Sequence, residues 1–279
     1  MGSIAAWRVS LQWLAAISLA ALFWGVAILF LRRVWFFRDP VRVAPRIPGA
    51  VLSACDGIVV YVRAYQGRGL LSEKLGRPID LREITGSDLP IAERGWLVGV
   101  YMSPLDVHFN YAPTDAVVEE IVRTPAAVNL PMVDLWEYIK LTYLRRAVDL
   151  FAAKYRLVNE RNTIFFRTAV PVAAGGGGER DRERELRYAA VEIADKFVNK
   201  IDCFVKPGDE VRAGQKISFI SRGSQVDLVL PREGVTVEVK PGQRVTGGIT
   251  VIARVGGRGL DGRGDPDGEG KPPSARESF

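Results

Sequence analysis

The longest apolar stretch of the chain lies near its N-terminus, where residues 9–31 carry no charged side chain. As an α-helix these residues extend about 34 Å at ~1.5 Å per residue, enough to cross the ~30 Å hydrocarbon layer of a bilayer. The stretch is long for a cleaved signal peptide, and no small-residue cleavage site follows it. The pattern predicts a membrane anchor over residues 1–35, either a transmembrane helix or a shallow re-entrant hairpin.

Positive charge is distributed unevenly around this stretch. Only Arg8 and the terminal amine precede it, whereas five arginines follow it within fifteen residues. Cytoplasmic flanks of membrane helices carry the excess of Lys and Arg. We therefore expect a protein of the cell membrane whose large C-terminal part lies on the cytoplasmic side.

Beyond the anchor the pattern changes to short strands. Residues 58–62 and 96–101 are rich in β-branched and aromatic side chains, as are several segments between 186 and 255, and tight-turn residues separate them. Residues 173–185 combine four glycines with charged residues and predict a flexible insertion, and residues 256–279 predict a disordered tail. The fold class predicted is mainly β (α+β), with one helical insertion.

That helical insertion is predicted at residues 132–155, where apolar side chains recur at helical spacing. Its opposite face is also apolar, for example at Leu144, and Trp136 suits a membrane interface, as Arg145 and Arg146 suit anionic head groups. Two interpretations stay open. The helix lies on the membrane surface and delivers lipid to the site, or it packs on the β-domain beneath the segment 173–185.

An internal repeat marks the C-terminal half. Val205-Lys206-Pro207-Gly208, with Val211 and Gly214, recurs 34 residues later as Val239-Lys240-Pro241-Gly242, with Val245 and Gly248. Pro-Gly closes a tight turn between strands. Two such hairpins facing each other resemble the barrel-sandwich of biotinyl and lipoyl carrier domains. Neither hairpin offers a lysine in the setting that carriers modify, so the repeat is interpreted as structural, and a membrane-tethered binding module is the alternative function.

Composition narrows the chemistry. The 279 residues carry a net charge of +6, which suits a surface near anionic lipid, and no feature requires a nucleic-acid partner. Two cysteines are too few for a disulfide scaffold. The single histidine, His108, excludes a zinc site built from several histidines and any mechanism that needs two imidazoles in one chain. No metal is expected.

Four short segments carry the candidate chemistry: Ser53–Gly57, Tyr101–Pro113, Val158–Asn162 and Ser221–Leu228. Each alone has an ordinary structural explanation. In this order, and preceded by Phe36-Phe37-Arg38-Asp39-Pro40, they resemble the phosphatidylserine decarboxylase family in its shorter form, which includes archaeal archaetidylserine decarboxylases. The resemblance extends from about Phe36 to Val255 and implies a decarboxylase domain over residues 36–255.

The resemblance implies a self-processing enzyme. Decarboxylation of an amino acid leaves an electron pair at Cα, so the reaction needs an electron sink. The family makes a pyruvoyl group for this purpose from a serine of its own chain. Here Ser224 would attack the carbonyl of Gly223, and cleavage would leave a β chain of residues 1–223 and an α chain of residues 224–279 that begins with the pyruvoyl group.

The resemblance also assigns roles to two ionisable residues. Asp56 matches the acid that acts in self-cleavage, and His108 matches the histidine of the Asp-x-His motif. The longer bacterial form has a second histidine where this chain has Tyr111. Either His108 serves both self-cleavage and decarboxylation, or Asp56 activates Ser224 directly or through water. The motif residues Glu160 and Arg161 are interpreted as a buried structural pair.

The function implied is conversion of phosphatidylserine in the membrane to phosphatidylethanolamine and CO2, with archaetidylserine as the alternative substrate. The partners expected are the α and β chains of one precursor. The oligomeric state stays open, with a homodimer among the options.

Overall fold

The computed structural model describes residues 2–67, 69–72, 77–89, 91–126, 128–144, 148, 150–151, 155–172, 182–196, 201–220 and 224–256. Gly223, on the N-terminal side of the predicted cleavage site, lies outside the described residues. So do Arg145, Arg146, most of the predicted flexible insertion and residues 257–279.

The chain begins with helix α1 (Gly2–Phe30), which continues into a π-helical turn at Leu31–Trp35. Residues Gln12–Trp35 have a mean hydropathy of 2.5, and none of their apolar window is buried within the protein. By length and composition this helix is able to span or anchor in a membrane, in agreement with the sequence prediction.

Sixteen antiparallel strands follow in the described residues: β1 (Ala50–Leu52), β2 (Gly57–Gln66), β3 (Gly69–Ser72), β4 (Arg77–Asp80), β5 (Arg94–Met102), β6 (Phe109–Tyr111), β7 (Ala116–Thr124), β8 (Arg161–Val172), β9 (Arg182–Ala194), β10 (Ile201–Cys203), β11 (Glu210–Val211), β12 (Lys216–Ile220), β13 (Ser224–Pro231), β14 (Val235–Val237), β15 (Arg244–Val245) and β16 (Val251–Val255). Three short helices interrupt them: α2 (Leu81–Thr85), α3 (Leu135–Thr142) and α4 (Tyr155–Val158). The mainly β prediction is confirmed.

The largest sheet has ten strands in the order β11-β7-β8-β9-β13-β5-β2-β3-β4, with β15 also paired to β2. Two three-stranded sheets, β1-β16-β14 and β10-β12-β6, complete the domain. Strand β13 lies between β9 and β5, and all eight of its residues are buried. Hydrophobic clusters cover both faces of the large sheet, so this central strand is shielded on both sides.

The repeated Pro-Gly hairpins have the local geometry that the sequence predicts. Gly208 and Gly242 have φ values of 91° and 88°, which glycine adopts without steric cost. The first repeat supplies β11 to β7, and the second supplies β15 to β2. The two repeats meet where they end, because a Cβ on Gly248 would stand 3.3 Å from the Cα of Gly214. The likeness to carrier domains beyond this stays a prediction.

The single helix predicted at residues 132–155 is wrong. The described helices in this region are α3 and α4, and α3 begins at Leu135 because Asp134 and Glu137 form a capping box. It ends at Thr142, Tyr143 is its C-cap, and the amide of Leu144 bonds back to the Ile139 carbonyl. The apolar residues at helical spacing do not share one environment. Met132 and Phe151 are buried in one cluster, whereas Leu135, Trp136 and Tyr143 are exposed.

The flexible insertion predicted at 173–185 is also too long. Residues 182–185 belong to β9, and residue pairs from Arg161↔Ile193 to Val172↔Arg182 connect β8 and β9. Residues 173–181 lie outside the described residues. At the end of the domain, the amide of Gly256 still donates to the carbonyl of Gly234.

Candidate functional site

Ser224 is the first residue of β13 and is fully buried. Its strand partners are Met102 on β5 and Ala194 on β9. Its hydroxyl donates to the sulfur of Met102 at 3.1 Å. A thioether is a weak acceptor, so the hydroxyl is held without a strong hydrogen bond that an attack would have to break.

His108 lies between β5 and β6, and its backbone carbonyl accepts from the amide of Ile220 at 3.1 Å. Since Ile220 ends β12 three residues before Gly223, the histidine lies beside the segment that leads into the predicted cleavage site. The ring of Phe36 packs against the imidazole, with centroids 4.2 Å apart. The histidine is completely buried.

The protonation of His108 follows from its contacts. Nδ1 lies 3.0 Å from the carbonyl oxygen of Asp106. A carbonyl only accepts, so Nδ1 carries the proton and Nε2 is the unprotonated nitrogen of the neutral ring. Burial lowers the pKa of His108 to about 4, although the Asp106 carbonyl acts in the opposite direction. At neutral pH this side chain is an unprotonated base.

The turn before His108 is fixed by Asp106. Its Oδ2 accepts from the amide of Ser103 at 2.9 Å and from the Ser103 hydroxyl at 2.7 Å. Its Oδ1 accepts from Arg244 on β15. This Ser-Pro-x-Asp turn therefore sets the direction in which the chain returns toward His108, which explains the motif in structural terms.

Asp56 is held in an ion pair that sequence reasoning missed. Arg42 donates to both of its oxygens, at 2.6 and 2.9 Å, and the amide of Gly247 donates to Oδ1 at 2.8 Å. The Arg42 guanidinium also lies over the ring of Tyr111, 4.9 Å from its centroid. Two-point pairing with arginine is among the strongest side-chain interactions, so the carboxylate is committed to Arg42. In the sequence Arg42 had been counted only among the charges that flank the anchor.

Glycine at 57 allows this placement. Its φ is 150°, and a Cβ there would stand 2.1 Å from the carbonyl oxygen of Tyr101. The close approach brings the start of β2 against the end of β5, and Asp56 directly precedes it. The Asp-Gly pair is therefore required for the backbone contact as well as for the carboxylate.

All three candidate side chains lie at one end of the central strands. Ser224 begins β13, His108 follows the end of β5, and Asp56 precedes the start of β2. Their contacts described above are with other residues: the Met102 sulfur, the Asp106 carbonyl and Arg42. The fold thus places the three predicted residues at one end of the central strands. The contacts described do not form a Ser–His–Asp chain.

A buried carboxylate on β9 was also missed. Glu192 lies two residues from the strand partner of Ser224, and side-chain alternation places it on the same sheet face as Ser224. It accepts from Asn110 at 2.8 Å, from Asn162 at 2.7 Å and from Ser218. Burial raises the pKa of Glu192, and the three donors counteract that rise. A lone Glu within an apolar strand pattern gave no functional signal.

The opposite face of β13 carries a second polar network. Arg156 donates to Oδ2 of Asp227 at 2.7 Å, and both side chains are almost completely buried. Tyr61 and Gln225 each donate to the other oxygen of Asp227 at 2.6 Å. Tyr155 donates to Gln225 at 2.6 Å. Every oxygen of the buried carboxylate therefore has a partner, as a buried charge requires.

In the Asn-Glu-Arg-Asn segment, Asn159 stabilises the backbone next to Ser224. The Asn159 side-chain amide donates to the carbonyls of Leu130 and Ala194, and its oxygen accepts from the Leu130 amide. Because Ala194 is the strand partner of Ser224, Asn159 ties the 128–134 loop to the strand beside the site.

The predicted pairing of Glu160 with Arg161 is wrong. Arg161 donates from Nη1 to the carbonyl of Arg156 at 2.5 Å, and the backbone of Glu160 bonds to Asn129 and Ala194. Successive side chains of an extended chain point to opposite faces, which separates the two charges.

Comparison with known proteins identifies the family to which the chain is similar. The family model described as phosphatidylserine decarboxylase matches residues 29–253. The phosphatidylserine decarboxylase proenzyme of Carboxydothermus hydrogenoformans is 30% identical over 234 residues, which cover 83% of this chain and 84% of the relative. The proenzyme of Nitrosomonas europaea is 31% identical over 242 residues, which cover 87% and 85%. The family match includes all three candidate side chains.

Gly57→Ala tests the close approach that positions Asp56. We expect it to lower the free energy of unfolding by more than ~2 kcal/mol, because its Cβ meets a carbonyl in addition to the unfavourable φ. Gly67→Ala is the matched control, since Gly67 also has positive φ but has no atom within 4 Å of an added Cβ. Thermal unfolding in detergent measures both. Equal losses in the two variants would contradict the role assigned to the close approach.

Arg156→Met tests the buried ion pair. It leaves the Asp227 carboxylate without its cation, and we expect a loss of about 3–5 kcal/mol in the free energy of unfolding. Arg254→Met is the control, because Arg254 pairs with Glu238 at the surface, where such pairs contribute ~1 kcal/mol or less. Chemical unfolding of both variants in the Ser224→Ala background excludes effects of chain cleavage. A loss for Arg156→Met no larger than for Arg254→Met would show that the pair is dispensable.

Proposed function

The chain belongs to the phosphatidylserine decarboxylase family, and we propose that it is a membrane-bound, self-processing enzyme that converts phosphatidylserine to phosphatidylethanolamine and CO2. The observation that carries the proposal is the placement of Ser224, buried at the start of the central strand with the neutral base His108 at the same edge. The proposed decarboxylase domain is residues 36–255, on the cytoplasmic side, and residues 1–35 are its anchor.

Self-processing begins with the Ser224 hydroxyl. The oxygen attacks the carbonyl of Gly223, the peptide nitrogen leaves, and an ester replaces the amide. Removal of the Cα proton of Ser224 then expels the Gly223 carboxylate and leaves a dehydroalanine. Hydrolysis of this residue releases ammonia and gives the pyruvoyl group at the start of the α chain, with residues 1–223 as the β chain.

His108 is the better base for the first step. The imidazole is unprotonated at neutral pH, whereas both oxygens of Asp56 accept from Arg42, so we assign the first proton transfer to His108. We propose that Asp56 acts by holding Arg42 and the Gly247 backbone in place. In this interpretation one histidine serves both self-cleavage and decarboxylation.

Burial of Ser224 favours the elimination over a competing reaction. Water that reached the ester would hydrolyse it and leave an ordinary serine at the start of the α chain. The serine is fully buried before cleavage, and exclusion of water protects reactive intermediates. Burial in the precursor therefore favours formation of the pyruvoyl group over ester hydrolysis that would leave Ser224 unmodified.

The site fits a pyruvoyl group held in place after cleavage. Residues 225–231 of the α chain stay paired with β5 of the β chain, and residues 225–229 stay paired with β9. Asp227 of the α chain also stays bound to Arg156 and Tyr61 of the β chain. When present, the pyruvoyl carbonyl supplies the electron sink for decarboxylation.

Ser224→Ala tests the processing site. Without the hydroxyl no attack on Gly223 occurs, so we expect one inactive chain of 30.8 kDa. Intact mass spectrometry of the purified protein measures chain number, cleavage position and the pyruvoyl group together. Ser224→Thr, which retains a hydroxyl, is expected to cleave slowly and to leave a ketobutyryl group.

Two chains from Ser224→Ala would contradict this cleavage site. An uncleaved natural protein would instead favour the alternative of a membrane-tethered binding module. Decarboxylation of ester-linked and ether-linked lipids by the mature protein separates phosphatidylserine from archaetidylserine as the substrate.

His108→Ala and Asp56→Asn separate the two proposed roles. Loss of a positioned base slows a reaction by about 10²–10⁴-fold, so we expect His108→Ala to accumulate precursor. Asp56→Asn retains an oxygen for Arg42 and is expected to cleave more slowly than the natural chain but faster than His108→Ala. Gel analysis of precursor after synthesis measures both rates. Tyr111→Phe is the control and should cleave normally, because the buried Tyr111 hydroxyl has no partner among the described residues.

The pH profile gives a second measure of the base. A base acts when deprotonated, so a pKa of about 4 for His108 predicts that self-processing is lost only as pH falls through about 4. An unperturbed histidine would lose activity near pH 6.5. Precursor cleavage followed from about pH 3.5 to 8 measures this. A midpoint near 6.5, or natural rates for His108→Ala, would contradict the role of a buried neutral histidine.

A further inference from the structure

The chain segment that connects β7 to α4 exposes apolar side chains that do not belong to the hydrophobic core. Six apolar side chains of this segment are exposed, and together we call them the apolar patch: Val128, Leu130, Leu135, Trp136, Tyr143 and Leu144. Leu135 is 76% exposed and Trp136 is 58% exposed. The same segment packs on the domain through other side chains, Met132 and Leu141, which are buried. The patch is therefore the outer side of a segment whose inner side is already covered.

The apolar patch is tied to the strand that flanks Ser224. The side chain of Asn159 bonds both to the backbone of Leu130 and to the carbonyl of Ala194, the β9 partner of Ser224. The amide of Met132 donates to Asp195 at 2.9 Å, one residue further along. The part of the segment that contains Leu130 and Met132 thus lies at the end of the sheet where β13 begins, and α3 follows it directly in the chain.

The end of the membrane helix is fixed at the same edge, on the other side of Ser224. Trp35 donates through Nε1, and Arg38 through Nη2, to the carbonyl of Leu105, at 3.2 and 2.6 Å. Leu105 lies in the turn that follows Met102, the β5 partner of Ser224. At this end of the sheet, the segment of the apolar patch therefore lies on the β9 side of Ser224, and the base of α1 lies on the β5 side.

We propose that the apolar patch inserts into the interface of the same bilayer that α1 enters. Continuity with the anchor favours a lipid surface over a second copy of the chain, because the base of α1 and the patch belong to one edge of one sheet. The residue types agree with this occupant. Trp and Tyr prefer the head-group region, and Lys140 lies 5.6 Å from the Trp136 ring, where its ammonium is available to lipid phosphate.

This inference rests on the membrane location proposed for α1 and not on the decarboxylation chemistry. Its consequence is a two-point attachment that turns the edge containing Ser224 and His108 toward the head groups. A phospholipid then moves only a short distance from the bilayer to reach the site, with most of its acyl chains still in lipid.

The test uses the full chain with a Cys203→Ser background, in which the one remaining cysteine, Cys55, is buried. Leu135→Cys and Leu144→Cys are labelled with an environment-sensitive fluorophore and placed in nanodiscs of phosphatidylcholine and phosphatidylglycerol. Glu233→Cys is the matched control, since it is exposed in the turn at the opposite end of β13. We expect lipids with nitroxide groups to quench both patch positions and to leave position 233 unchanged.

Quenching at the patch no greater than at position 233 would overturn the proposal. A blue-shifted but unquenched label would also overturn it, because that result means that protein, from a second copy or another segment, covers the patch. Either outcome is independent of whether the protein decarboxylates lipid.

Activity gives the functional arm of the test. Trp136→Glu and Leu144→Glu are expected to lower the rate on phosphatidylserine in bilayers about tenfold, which corresponds to 1.4 kcal/mol of lost interfacial binding. They should leave self-cleavage and the rate on a soluble short-chain phosphatidylserine unchanged. Thr236→Glu, on exposed β14, is the control. Equal losses on both substrates would indicate damage to the site and contradict the proposed surface role.

Discussion

The ion pair between Arg156 and Asp227 fixes the register on which the site depends. Alternate residues of β13 face opposite sides of the sheet, so Asp227 meets Arg156 on one side while Ser224 faces Met102 on the other. A shift of one residue would turn the buried carboxylate into the apolar cluster and Ser224 away from its neighbours. The cost of an unpaired buried charge opposes that shift. The polar network around Asp227 on one face of the sheet thereby determines that Ser224 lies on the other face.

The residues around Asp56 explain how the proposed chemistry could depend on one histidine, His108, the single histidine of the chain. In place of a second imidazole, Tyr111 packs beneath Arg42, and Arg42 binds Asp56. The acid is therefore part of a scaffold, and burial keeps His108 neutral. The same burial excludes water from Ser224. Burial thus has two effects at this site: it shields Ser224 from water and it keeps His108 neutral.

The sequence predicted the features that depend on nearby residues. Residues 9–31 predicted the apolar helix, and the Pro-Gly repeats predicted two turns whose glycines have positive φ. The prediction of one helix over residues 132–155 was wrong because apolar spacing does not mark where a helix begins or ends. The spacing of apolar residues does not show which of them are buried: Met132 and Leu141 are buried, whereas Leu135 and Trp136 are exposed. The capping box at Asp134 was the local signal that marks the true start of α3.

Motif order in the sequence determined the family and the three candidate side chains, because each motif is a short local pattern. Only the tertiary structure decided their partners. Arg42 and Asp56 are 14 residues apart, and Arg156 and Asp227 are 71 apart. No periodicity connects residues at such separations, since the sheet order and register bring them together. The sequence therefore determined which groups are present, and the fold determined which of them are buried and neutral and which are held in ion pairs.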